Sequence, residues 1–254
     1  VADGSIDFLG VSFKYHQNAK AYALADVQLH IPSGQTVGIL GGTGASKTTL
    51  VQLIPRLYDV SEGCVKVAGH DVREYALHTL RDAVGIILQK NVLFSGTVRD
   101  NLKWGNPAAT EEEIWEACRA ACADEFLERM PEGLDTWLEQ GAGNLSGGQK
   151  QRLCIARALL QKAKILIFDD STSAVDTAPE SQIRKALEDR RDVTKIIIAQ
   201  RITSVMNTDQ IVILEDGRIH RIGTHRELLA EDPIYQEIYR SQMKGEDEDG
   251  VQNL

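Results

Sequence analysis

Short apolar runs rich in Val and Ile recur along the chain at 37–40, 83–88, 164–168, 195–199 and 210–214, with amphipathic stretches between them. Runs this short and apolar on both faces read as buried strands. Strands that alternate with helical segments build a mainly parallel sheet, which gives an α/β protein. The opening segment, Ser5-Ile-Asp-Phe-Leu-Gly-Val-Ser-Phe-Lys-Tyr15, alternates instead. Asp216-Gly217, set between Ile211-Val-Ile-Leu214 and Arg218-Ile-His-Arg-Ile222, predicts a hairpin. An antiparallel β subdomain therefore flanks the parallel core.

Between about Thr97 and Leu160 the strand pattern vanishes. Glu111-Glu-Glu-Ile-Trp-Glu-Ala-Cys-Arg-Ala-Ala-Cys122 carries Ile114, Ala117, Cys118 and Ala121 at helical spacing. This reads as an α-helical subdomain, about 97–160, inserted into the core of one domain over 1–243. The polar acid run from Lys244 to Gly250 is expected to leave 244–254 as a disordered tail. There is no internal repeat, and the apolar runs fall far below the ~18 residues that a membrane span needs.

Composition changes this picture in two places. Of 254 residues, 28 are basic and 37 acidic, a net charge of −9, which disfavours a nucleic-acid partner held mainly by phosphate contacts. Any anion must then be held by a local device. Cys64, Cys118, Cys122 and Cys154 form neither a CxxC pair nor a zinc spacing, so they read as thiols of a reducing compartment. Val1-Ala2-Asp3 shows no signal peptide, and a start without Met is expected for an excised fragment.

The local device follows the run at 37–40. Gly41-Gly42-Thr43-Gly44-Ala45-Ser46-Lys47-Thr48-Thr49 is succeeded by Leu50, Leu53, Ile54 and Leu57 at i, i+3, i+4, i+7. Strand, Gly-rich turn, Lys and helix start make a phosphate cradle in which backbone N–H groups face the anion. Lys47 would reach the terminal phosphates and the Thr48 hydroxyl would meet Mg²⁺. The fingerprint G-x-x-x-x-G-K-[ST] is broken only at Ser46, whose Cβ disfavours positive φ. Pro55 predicts a kink or an early helix end. The fold class is thus a P-loop NTPase core within the α/β architecture.

Leu145-Ser146-Gly147-Gly148-Gln149, followed by Lys150-Gln-Arg152, resembles the signature motif of the ATP-binding cassette proteins, and the likeness extends over nearly the whole chain to their exporter type. Ser146 and Gln149 also have capping-box spacing. In the family this helix start faces the nucleotide of the opposite subunit. Ile165-Leu-Ile-Phe-Asp169-Asp170 resembles the Walker B strand, with Asp169 as the acid on the Mg²⁺ side and Asp170 in the place of the catalytic Glu. Gln89 matches the Q-loop glutamine that contacts the metal, and Ser173-Ala-Val-Asp176 looks like the D-loop. Gln200 stands where the family has its switch histidine, and Tyr15 where an aromatic stacks on adenine; an ordinary strand aromatic is the rival reading of Tyr15. Gln140 lies where a coupling Glu is usual.

The resemblance implies an ATPase of low intrinsic activity that uses ATP and Mg²⁺ on the cytoplasmic face of a membrane. Its partners would be the transmembrane domain of the same exporter and a second nucleotide-binding domain. Ser46, Asp170 and Gln200 all weaken the chain's own phosphate site while the signature is intact, which resembles the degenerate half of a heterodimer. The alternatives are a regulatory ATP-binding module without turnover and a soluble ABC ATPase not linked to transport.

Overall fold

Alternation and apolar runs resolve into the elements they predict. The computed structural model describes residues 1–254 apart from 89, 91, 170–176, 189 and 252–254, and side chains at 177–181, 184 and 244–251 are also outside the description. The order is β1 (Ile6–Phe13), β2 (Leu24–Ile31), β3 (Thr36–Leu40), α1 (Lys47–Gln52), β4 (Glu62–Val67), β5 (His70–Asp71), α2 (Leu77–Asp82), β6 (Val84–Ile87), β7 (Gly96–Thr97) and α3 (Val98–Lys103). It continues with α4 (Glu111–Ala120), α5 (Asp124–Leu127), β8 (Trp137–Leu138), α6 (Gly147–Leu160), β9 (Ile165–Asp169), α7 (Thr177–Glu188), β10 (Thr194–Ala199), β11 (Gln210–Glu215), β12 (Arg218–Gly223), α8 (His225–Glu231) and α9 (Pro233–Val251). Two compact units result, 76–193 and 4–75 with 194–254, the first three residues being divided between them.

In the second unit β3 is flanked by β10 and β11, both parallel to it. Ile39 and Leu40 are buried there, as are Ile196, Ile198, Ile211, Val212 and Ile213, so the apolar runs form the core. β12 returns antiparallel to β11 through Asp216 and Gly217, at φ 47° and 73°, the left-handed pair that a two-residue hairpin turn requires. β1 pairs antiparallel with β2 and β4 and makes the flanking sheet. α1 stops three residues before Pro55, which cannot donate to a continuing helix. Leu50, Leu53 and Ile54 are buried as their spacing predicts, but Arg56 turns at φ 53° and leaves Leu57 45% exposed.

The first unit carries the helices of the 97–160 stretch. α4 opens on a capping box of Thr110 with Glu113 and buries Ile114, Ala117 and Cys118, its apolar stripe; α3 and α4 pack against α6. β7 and β8 pair antiparallel, Gly96 opposite Leu138. β6 and β9 run parallel, and all five residues of β9 are buried. No disulfide joins the four cysteines. Burial pushes the Cys118 thiol up to about 12 and raises those of Cys122 and Cys154, which suits core thiols.

α9 runs to Val251, and residues 252–254 lie outside the described residues.

Candidate functional site

The phosphate loop begins where β3 ends. A Cβ on Gly41 would lie 2.4 Å from the Leu214 carbonyl oxygen of the neighbouring strand, so the chain can leave the sheet there only as glycine. Beyond it Gly44 and Ser46 both take left-handed backbone, at φ 84° and 69°. The glycine that the fingerprint expects at 46 is thus replaced by a serine held in the strained region, with no side-chain cap to offset it. Lys47 is 8% exposed, and its Nζ donates to the carbonyl oxygens of Gly41 (2.7 Å) and Gly42 (2.8 Å), which ties the ammonium across the loop. Thr48 is exposed, Thr49 buried.

Left-handed backbone costs an L-residue about 1–2 kcal/mol. Glycine's extra unfolded-state entropy gives back about 0.5–1 kcal/mol of this, so Ser46→Gly should raise the thermal midpoint by about 2–4 °C for a chain of this size. Thermal unfolding followed by circular dichroism checks this; an unchanged or lowered midpoint would show that Ser46 is not strained.

Tyr15 stands beside this loop. Its hydroxyl shares a 2.6 Å hydrogen bond with Thr49 Oγ1, and its ring meets Phe13 and Tyr58 edge-on at 4.9 and 5.3 Å between centroids. The ring is 49% exposed, so it is available to a further planar group while its position is fixed. The bond to Thr49 is not readable from the sequence, since it joins residues 34 apart.

Gln200 follows directly on β10. The parallel register ends with Ala199 opposite Leu40, so Gln200 and Gly41 are the residues that follow the ends of two neighbouring strands. Gln242 was not singled out by any motif, yet its side chain bonds the Gln200 carbonyl (2.9 Å) and the Ile202 N–H (2.8 Å). Its signal is positional: with Tyr235, Ile238 and Tyr239 it completes an i, i+3, i+4, i+7 stripe.

In the other unit, Ser146 caps α6 with the box that the sequence predicts: its Oγ accepts from Gln149 N (3.2 Å), and Gln149 Oε1 accepts from Ser146 N (2.9 Å). Gly147 faces open space. Behind the cap, Arg152 donates to the carbonyls of Cys122 (2.8 Å) and Gly148 (3.4 Å) and lies over the Phe126 ring, which fixes the helix start. Asp169 ends β9 at 9% exposure. Just ahead of the signature, Gln140 opens a 3-10 turn over Gln140–Ala142. Gln89, Asp170 and Asp176 lie outside the described residues.

The residues suit a nucleotide polyphosphate: a lysine ammonium, a loop of N–H groups, and open space over Gly42 and Gly44 where a Cβ would meet nothing. The exposed Thr48 hydroxyl is a hard oxygen donor of the kind Mg²⁺ prefers. Such a strand, loop and lysine define a P-loop nucleotide-binding domain.

The family model for ABC transporters matches residues 24–173, and the chain belongs to that family. Over 243 residues it is 43% identical to a "Putative multidrug export ATP-binding/permease protein" of Staphylococcus aureus strain NCTC 8325, covering 95% of this chain and 42% of that protein. The counterpart of the bovine strain RF122 / ET3-1 is 42% identical over the same length. The solved structure of a bacterial Atm1-family ABC exporter with ATP bound superposes with a TM-score of 0.91 at 34% identity, over 95% of this chain and 42% of that one. The chain thus spans about two fifths of the length of these relatives. Among the described residues no helix is long and apolar enough to cross a membrane.

Proposed function

We propose that this chain is the ATP-binding domain of an exporter, working on the cytoplasmic face of a membrane, and that its own phosphate site holds Mg-ATP with little turnover. The observation that carries the reading is the loop 41–49, with Lys47 bound across it at the end of β3, the strand that pairs with β10 ahead of Gln200. The names of the relatives support export, with a transmembrane domain of the same transporter as the partner that this domain drives.

In this reading Tyr15 stacks on the adenine, and the N–H groups of 41–49 with Lys47 receive the phosphates. Thr48, Asp169 and Gln89 hold the Mg²⁺. Bound Mg-ATP supplies the phosphoanhydride to be cleaved. Asp170 would have to align the attacking water, but its carboxylate is one methylene shorter than that of the family's Glu. Gln200 can donate a hydrogen bond to a phosphate oxygen but cannot take up a proton or carry positive charge. Ser146, Gly147, Gly148 and Gln149, with Asp176, serve the nucleotide of a second, different nucleotide-binding domain.

Loss of a well-placed catalytic group costs about 10²-fold or more, and two are altered here. The isolated chain should therefore bind ATP yet turn it over far below the ~10 s⁻¹ of an ordinary enzyme. Phosphate release from a homogeneous preparation measures this, and a rate near that ordinary value overturns the weak-site reading.

A further inference from the structure

The segment after β10 is held by the C-terminal helix. On α9, Tyr235, Ile238, Tyr239 and Gln242 fall at i, i+3, i+4 and i+7, one face of a helix. Tyr235 is fully buried in a cluster with Leu40, Ala199, Ile202 and Val205, and Ile238 and Tyr239 pack against that cluster. Gln242 is the polar end of the stripe and meets backbone rather than side chains.

Its two contacts answer a local need. Ile202 opens a 3-10 turn, Ile202–Ser204, whose first N–H has no acceptor inside the turn; Gln242 Oε1 takes it at 2.8 Å. The Gln200 carbonyl comes just past the last paired residue of β10, and Gln242 Nε2 donates to it at 2.9 Å. One planar amide thus satisfies a donor and an acceptor two residues apart. The reversed amide would set N–H against N–H and oxygen against oxygen, so the orientation is fixed by the backbone it serves.

We propose that Gln242 is a positioning residue for the phosphate site: its amide fixes the Gln200–Ile202 backbone and thereby the direction in which Gln200 leaves β10, the neighbour of the strand from which the phosphate loop departs. The proposal rests on the reading of Gln200 as a group that meets the terminal phosphate. It makes the last helix a determinant of how a triphosphate, as opposed to a diphosphate, is received.

The test compares the full chain with Gln242→Met, which keeps length and apolar packing, with Gln242→Glu, which keeps only the acceptor, and with Gln200→Ala. Amide exchange at Ile202, thermal unfolding, and calorimetric binding of a non-hydrolysable ATP analogue and of ADP are measured on each. Gln242→Met should unfold within about 4 °C of the wild type. It should speed exchange at Ile202 by about fivefold, the worth of one hydrogen bond, and weaken the ATP analogue by a similar factor with ADP unchanged. Gln242→Glu should restore the protection of Ile202. Gln200→Ala should lower the preference for the ATP analogue over ADP in the same direction as Gln242→Met. If Gln200→Ala lowers that preference and Gln242→Met does not, the proposal is overturned, even with faster exchange at Ile202, because the amide is then a structural clamp only. If Gln200→Ala leaves the preference unchanged, the reading of Gln200 is the one that fails, and the positioning role falls with it.

Discussion

Lys47→Ala should abolish measurable ATP binding at micromolar nucleotide. The ammonium is buried, anchored at 2.7 and 2.8 Å to the carbonyls of Gly41 and Gly42, and lies across the turn over which the loop N–H groups gather. It is thus preorganised for an anion and has little side-chain entropy left to lose on binding. Charge-assisted hydrogen bonds to phosphate are worth about 1.5–3 kcal/mol, so losing the lysine should weaken binding by about 100-fold. The two carbonyls also lose their donor, which adds local loosening to the missing charge. Isothermal calorimetry with Mg-ATP decides it; equal affinity in wild type and variant removes the phosphate-loop assignment.

Much of this was legible in the sequence because it is local. The runs at 37–40 and 195–199 became β3 and β10, since a strand apolar on both faces has few other places to go. The capping box at Ser146 and the Asp216-Gly217 turn formed as their spacing predicts, each being decided within four residues. Ser46 could be named as the misfit in the fingerprint, and its φ of 69° gives the physical reason: only glycine is unstrained there.

What could not be read depends on contacts distant in sequence. Tyr15 reaches Thr49 and Gln242 reaches Gln200 across gaps of 34 and 42 residues, which no periodicity encodes. The two-residue strands β7 and β8 exist only because Gly96 finds Leu138. Leu57 fits the helical stripe, yet the turn at Arg56 exposes it.

Ser146→Ala should nearly silence the ATPase of the complete transporter, while Gln200→Ala should leave most of it. The substitutions fall on opposite sides of the proposed division of labour. Ser46, Asp170 and Gln200 depart from the family pattern on the side of this chain's own phosphate loop, whereas the Ser146 cap and the Gln149 that completes it are intact. A chain of this kind paired with itself would hold two impaired sites. Paired with a partner whose Walker residues are complete, its signature finishes one competent site, and the intact cap acquires a use. Removing the Ser146 hydroxyl takes away the helix cap and, on the proposed reading, a hydrogen-bond donor to the partner's nucleotide; losing one such donor costs about 10²–10³-fold in rate. On the proposed reading Gln200 belongs to the site that contributes little turnover, so its loss should cost less than about twofold. Steady-state ATPase of the purified mixed complex, measured with each single variant, tests the division most directly. The account predicts near-complete loss with Ser146→Ala and a largely preserved rate with Gln200→Ala; the reverse order, with Gln200→Ala abolishing turnover and Ser146→Ala leaving it untouched, would contradict it.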